Sequence, residues 1–321
     1  MSQSSSSSHS PGAPTESVSD EYRDSLGSRE KKDQIVQITL DDGAELQAWV
    51  HSGTGAPLVF LYGLGCSKAH WKYQVRHFQD MGRLTIQIDY RGHGRSTLGS
   101  IKRPIKIAHL VDDIAFALQA LKAEHSIVCG QSMGGSIAMK LAHDHPSLVS
   151  ALILQGSPGR EPFSRMNIAA GYAEKFMKFL TELNRKSPKT TRFLNQSAGK
   201  IPFIARELVR LQGFNGQLAR TEDIDEYVHN FFANDPNLFY ELAEDLHHFD
   251  ISKLERIIET PALILAGAQD HVVPVHEMRW LAKRLPSSEL EIYPHGSHCV
   301  HLEDPGQVNR RIAQYLKTYN L

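Results

Sequence analysis

Three cysteines in 321 residues (Cys66, Cys129 and Cys299) are too few, and odd in number, for a disulfide framework. They read as free thiols of a reducing compartment, so the cytoplasm is the expected location. Long apolar runs are missing too. None approaches the roughly 20 residues of a membrane-spanning helix, and no transmembrane segment is expected. No basic flank followed by an apolar stretch opens the chain, so it does not read as a secretory signal. An excess of either charge is absent as well. The 35 Lys and Arg face 36 Asp and Glu, for a formal net charge of −1. A nucleic-acid partner would require a basic stripe or patch, and electrostatic docking on an anionic membrane would require basic segments. The overall balance predicts neither.

What is present begins with a tail. Residues 1–30 carry the serine run Ser4–Ser8, then Pro11, Gly12, Pro14 and scattered charges. Such a segment buries too little apolar surface to offset its chain entropy, and it is expected to be disordered. Alternation then starts. Gln34–Leu40 and Glu45–His51 flank Asp41-Asp42-Gly43 and predict an antiparallel hairpin. Pro57–Tyr62, Leu84–Ile88, Ser126–Cys129 and Leu148–Leu154 are short apolar runs, as expected of strands buried on both faces. Helical spacing fills His70–Asp80, Ile105–Leu121 and Met133–His143. Strand and helix alternating with short connections predict an α/β fold, a mostly parallel central sheet flanked by helices.

The rhythm breaks over residues 158–250. Apolar residues there fall on helical faces: Ile168, Tyr172, Phe176, Leu180 and Leu183; Ile204, Leu208 and Leu211; Ile224, Tyr227, Val228 and Phe231; Leu238, Phe239, Leu242 and Leu246. This predicts a helical cap of about four helices, inserted into a core made of residues 31–157 and 251–321. Strands are predicted again at Pro261–Ala266 and Glu289–Tyr293. Helices are predicted at His276–Leu285 and Pro305–Tyr319.

The chemistry centres on Gly130-Gln131-Ser132-Met133-Gly134. A serine between a strand and a helix sits on a sharp turn, and small flanking residues let the backbones cross closely. A serine hydroxyl needs a base to take its proton, and an acid to orient that base. Asp270 follows the strand ending at Ala266, and His298 follows the next strand. That is the chain order Ser, Asp, His. The loop after Leu154 reads Gln155-Gly156-Ser157-Pro158 and offers no competing acid. Of His295, His298 and His301, the middle one is chosen for its position. The other two are expected on the surface, and no metal site is expected from them. Gly63-Leu64-Gly65 supplies a loop whose Leu64 N–H, with that of Met133, is expected to form an oxyanion hole.

These landmarks resemble the α/β-hydrolase family. They stand here as Tyr62-Gly63-Leu64-Gly65, Asp89-Tyr90-Arg91-Gly92-His93-Gly94-Arg95-Ser96, the turn at Ser132, Gly267–Asp270 and Gly296–Pro305. The resemblance covers about residues 34–320. It is to the capped branch that includes esterases, monoacylglycerol lipases and carbon–carbon bond hydrolases. It implies scaffold roles for Arg91, His93 and Arg95. The chain departs from the family at Tyr62, where histidine is frequent, and at Ser297, which intervenes between Gly296 and His298. Ser132 also separates it from haloalkane dehalogenases and soluble epoxide hydrolases, which resemble one another in an aspartate at the turn. The expected activity is a cofactor-free serine hydrolase acting on a small-molecule ester with an apolar acyl group. The same three residues would serve a thioesterase, a lactonase, a carbon–carbon hydrolase or a weakly catalytic receptor.

Overall fold

The computed structural model describes residues 33–167, 172–199, 203, 206–207, 210 and 213–321. The expected tail, residues 1–30, lies outside these, as do Ile168, Ile204, Leu208 and Leu211. Strands β1 (Gln34–Thr39) and β2 (Glu45–His51) form the expected hairpin, with Gln34 opposite Val50 and Thr39 opposite Glu45. β3 (Thr54–Leu61), β4 (Arg83–Ile88), β5 (Ser126–Gln131), β6 (Val149–Gln155), β7 (Ala262–Gly267) and β8 (Ser288–Tyr293) complete one eight-stranded sheet. Its order is β1-β2-β4-β3-β5-β6-β7-β8. β2 meets β4 antiparallel, and every pairing from β4 to β8 is parallel.

The apolar runs explain the layering. All residues of β5 and β7 are buried, which requires cover on both faces. Helices α1 (Lys72–Asp80), α2 (Ile107–Ala120) and α3 (Met133–Asp144) lie between strands in sequence and flank the sheet. α1 is shorter than the expected His70–Asp80. Ser67 accepts a hydrogen bond from Ala69 N–H and starts a 3-10 turn over Lys68–Trp71 before the α-helix begins.

The described residues between β6 and β7 are mainly helical, as expected. It holds α4 (Pro162–Arg165), α5 (Tyr172–Lys186), α6 (Pro188–Gly199), α7 (Thr221–Ala233) and α8 (Pro236–His248). α5, α7 and α8 answer to expected faces. α6 was not expected, because Phe193 and Leu194 stand alone there without an apolar stripe. Pro188 at its first turn fixes a helical φ and removes an N–H that has no helical partner. The insertion closes on itself at its base. Arg160 bridges to Asp250, Glu161 N–H donates to Phe249 O at 3.1 Å, and Ile251 N–H donates to Gly159 O at 2.9 Å.

The chain ends with α9 (Val275–Arg284), the single turn α10 (Val300–Glu303) and α11 (Pro305–Thr318), which packs on α1. Asp304 caps α11 by accepting from Gln307 N–H. Among the described residues, no helix is long and apolar enough to cross a membrane.

Candidate active site

Ser132 sits between the last residue of β5 and the first of α3, with φ 52° and ψ −122°. A non-glycine residue rarely holds positive φ, so the surroundings must enforce it. Ser132 N–H donates to Gln155 O at 3.0 Å, and Ser132 O accepts from Gly135 N–H at 2.9 Å. The neighbouring glycines are required by contact. A Cβ on Gly134 would lie 2.3 Å from Leu61 O, and one on Gly130 would lie 2.5 Å from Gly134 O. The spacing of the motif is therefore the footprint of strand and helix backbones crossing without side chains between them.

Asp270 follows β7 and His298 follows β8. His298 Nδ1 lies 2.9 Å from Asp270 Oδ2, and both residues are buried. Asp270 Oδ1 accepts from the Val272 and Val273 N–H groups, each at 2.8 Å. Gln155 Nε2 anchors the histidine backbone by donating to His298 O at 2.9 Å. Gly156 explains the missing acid after β6. Its φ is +51°, and a Cβ there would stand 3.1 Å from His298 Nδ1 and 3.3 Å from Asp270 Oδ2. That loop clears room for the Asp270–His298 pair.

The Gly63-Leu64-Gly65 loop leaves β3 and passes over the serine. A Cβ on Gly63 would be 3.1 Å from Ser132 Cβ. Among the described residues, neither Leu64 N–H nor Met133 N–H has a protein acceptor. Met133 opens α3, where the helix dipole places partial positive charge.

Ser132, Leu64 and His298 all line one cavity of about 560 Å³. The inserted helices furnish most of its remaining wall, including Phe176, Leu180, Phe231 and Phe239. Contacts to the core hold them there. Asn234 Nδ2 donates to Gly65 O at 3.0 Å, and the Phe231 ring stands 2.7 Å from where a Gly65 Cβ would be. Asp223 accepts from Tyr73 Oη at 3.1 Å and pairs with Lys72 at 2.5 Å.

A model of the alpha/beta hydrolase fold matches residues 56–305. The chain belongs to this hydrolase family. A putative carbamate hydrolase RutD of Agrobacterium fabrum is 29% identical to it over 83% of this chain and 96% of its own. The 3-oxoadipate enol-lactonase 2 of Acinetobacter baylyi is 24% identical over 88% of this chain and 97% of its own. Among solved structures, an esterase from Exiguobacterium antarcticum superposes with a TM-score of 0.70 at 23% identity, over 88% of this chain and all of that one. At that identity the likeness shows the fold.

Several residues of the hydrolase stand where the sequence did not place them. His301 was expected on the surface and is fully buried, with its ring 4.8 Å from those of both His70 and Trp71. Burial holds it well below the usual histidine range and pushes His70 down to about 3. The α10 turn folds the His298 loop inward and carries His301 with it. His295 is exposed, as expected. Tyr62 does not line the cavity. It is buried against Tyr90, and its hydroxyl accepts from Tyr90 N–H at 3.1 Å. Arg91 is buried and forks onto both oxygens of Asp113, at 2.8 and 2.7 Å, and also bonds Asp42.

Two residues near the site escaped the sequence reading. Gln131 Nε2 lies 3.2 Å from His298 Nε2, and it donates there when Nδ1–H faces Asp270. Glu303 is buried behind the histidine loop. It accepts from Ser297 N–H and from Asn215 N–H of the insertion, each at 2.7 Å, and bonds the Ser297 hydroxyl. Burial pushes its carboxyl up to about 7. In sequence Glu303 is one acid in the Gly296–Pro305 landmark, and nothing in that stretch marks its partners Ser297 and Asn215.

Proposed function

We propose that this hydrolase cleaves carboxylic esters of small to medium apolar acyl groups through an acyl-enzyme. Ser132 is the nucleophile, His298 the general base and Asp270 the acid that orients it. The observation that carries the reading is the shared cavity: Ser132 and His298 line it together under an apolar wall of inserted side chains, which we read as a cap. Such a wall favours an alkyl or acyl group over a sugar or a charged acid.

Asp270 holds Nδ1–H, leaving Nε2 to accept the Ser132 proton as Oγ bonds the ester carbonyl carbon. Gln131 holds that nitrogen in the resting site and yields it to the hydroxyl. The carbonyl oxygen gains negative charge and meets the N–H groups of Leu64 and Met133. His298 then passes its proton to the departing alkoxide, which leaves as an alcohol. Water attacks the acyl-serine, giving a proton to His298, and the acid departs with the Ser132 proton restored.

The test is labelling of Ser132 by a fluorophosphonate, followed by rates on p-nitrophenyl esters of increasing acyl length. A buried methylene contributes up to about 0.8 kcal/mol, or roughly fourfold in kcat/KM. kcat/KM should therefore climb from acetyl to hexanoyl and fall once the cavity is filled. A flat series, or a preference for charged acyl groups, overturns the substrate class. Labelling that survives Ser132→Ala overturns the nucleophile. A lactone and a carbamate belong in the same panel, because relatives bear the names of such hydrolases.

A further inference from the structure

We infer that the outward face of α5 and α6 docks on an anionic lipid surface, with the mouth of the active-site cavity beside it. Tyr172, Phe176 and Phe179 fall on one face of α5 and are 72%, 60% and 62% exposed. On α6, Phe193 and Leu194 are 67% and 49% exposed. Single exposed apolar residues are ordinary, but a run of large aromatics on one face marks an interaction surface. This face also reaches the site. Tyr172 and Phe176 are exposed to solvent and at the same time line the cavity that holds Ser132 and His298.

Charge selects the occupant. Residues 172–199 carry six basic side chains, Lys175, Lys178, Arg185, Lys186, Lys189 and Arg192, against two acidic ones, Glu174 and Glu182. Glu174 is taken up by Lys178 at 2.5 Å, and Glu182 by Arg185 and Lys186 at 2.8 and 2.9 Å. Asp235, the residue ahead of α8, pairs with Arg192 at 3.4 Å, while the acids on α8 itself serve mainly the core. Glu241 bonds Arg103 and Ile105 N–H, and Asp245 bonds Ile107 N–H, while Glu244 stands near Arg185. The net charge of −1 averages this basic region away, which is why overall composition pointed against an anionic membrane.

Aromatic side chains interleaved with lysine and arginine suit the boundary between headgroups and acyl chains. A second copy of this chain fits the face poorly, since it would bring the same positive charges to the contact. Docked this way, the mouth admits an amphipathic ester from the lipid layer. That last step rests on the catalytic reading above, whereas the docking does not.

The test uses the full chain with vesicles of phosphatidylcholine alone, and with about one third phosphatidylglycerol. Co-sedimentation should show at least about tenfold stronger partitioning onto the anionic vesicles. The gain should shrink in about 0.5 M salt, where the Debye length is only a few ångströms. Phe179→Ser with Phe193→Ser, and separately Lys175→Glu with Lys189→Glu, should each lower partitioning about tenfold. Hydrolysis of p-nitrophenyl acetate in free solution should hold, since none of these four lines the cavity. Ser132→Ala should bind vesicles as well as wild type, so a failed nucleophile assignment leaves the docking result standing. No partitioning, or equal partitioning onto both vesicle types, overturns the inference. A dimer by light scattering that Phe193→Ser dissociates also overturns it, because a second copy then covers the face.

Discussion

α3 and α5 are both amphipathic helices of similar length, yet they live in different surroundings. α3 buries nine of its 12 residues against the sheet, whereas α5 buries one of its 15, Asn184. In α3, buried positions answer to β5, β6 and β3 and to the neighbouring α2. In α5, apolar positions answer to a cavity and to open solvent. The first kind of helix fixes geometry, and the turn at Ser132 depends on it. The second kind leaves apolar surface free for whatever the protein binds.

The largest expected effect lies on the rigid side. Asp270→Asn should lower kcat by about 10⁴, because the amide no longer holds the imidazole in the tautomer that accepts a proton. Circular dichroism should be unchanged, and near-normal kcat would mean that another acid orients His298. His301→Ala should cost about 2–4 kcal/mol of stability, since it hollows out packing against Trp71 and His70. His295→Ala, on the exposed part of the same loop, should stay within about 0.5 kcal/mol. Urea titration reads both, and equal losses would erase the distinction drawn between them.

Glu303 ties the two regions together and gives the comparison a pH axis. Its carboxyl is raised from 4.5 to about 7 in the folded protein. The fold therefore holds a proton that the unfolded chain releases, and that contribution to stability is lost as pH rises from about 4.5 to 7. The slope can reach about 1.4 kcal/mol per pH unit. Glu303→Gln should lack it, so the stability difference between variant and wild type should change across that window and level off above it. A constant difference from pH 4 to 8 would remove Glu303 as the titrating group. A more modest effect belongs to the inserted helices that wall the cavity. Phe231→Ala should lower the hexanoyl-to-acetyl ratio of kcat/KM several-fold, at the scale of a few lost methylene contacts. An unchanged ratio would place the acyl chain elsewhere in the cavity.

The same contrast explains what could be read from sequence. Runs such as Ile127-Val128-Cys129 and Leu263-Ile264-Leu265 allow one reading, a strand covered on both faces, and the sheet followed from them. Ser132, Asp270 and His298 could be proposed from sequence because loops at strand ends are short and constrain where a side chain can reach. In the inserted region, the spacing of Tyr172, Phe176 and Leu180 correctly announced a helix but not what its apolar side faces. α6 had no stripe to announce it. His301 looked like a loop residue because one helical turn of inward folding leaves no mark in a short sequence. Gln131 and Glu303 act through partners distant in the chain, and such pairings are invisible until the chain is folded.

The hydrogen bond from Ile251 N–H to Gly159 O, with the bridge beside it, gives the whole inserted segment the topology of a hairpin loop. From the sheet's side, β6 and β7 are joined as if by a tight turn, whatever is hung beyond that rung. Closing a longer excursion costs little: each doubling of loop length adds only about 0.6 kcal/mol. Lineages carrying this scaffold can therefore lengthen, shorten or replace the excursion while the strands below keep their register. If the inserted wall sets substrate preference as proposed, that preference is exchanged with one detachable segment while Ser132, Asp270 and His298 keep their places.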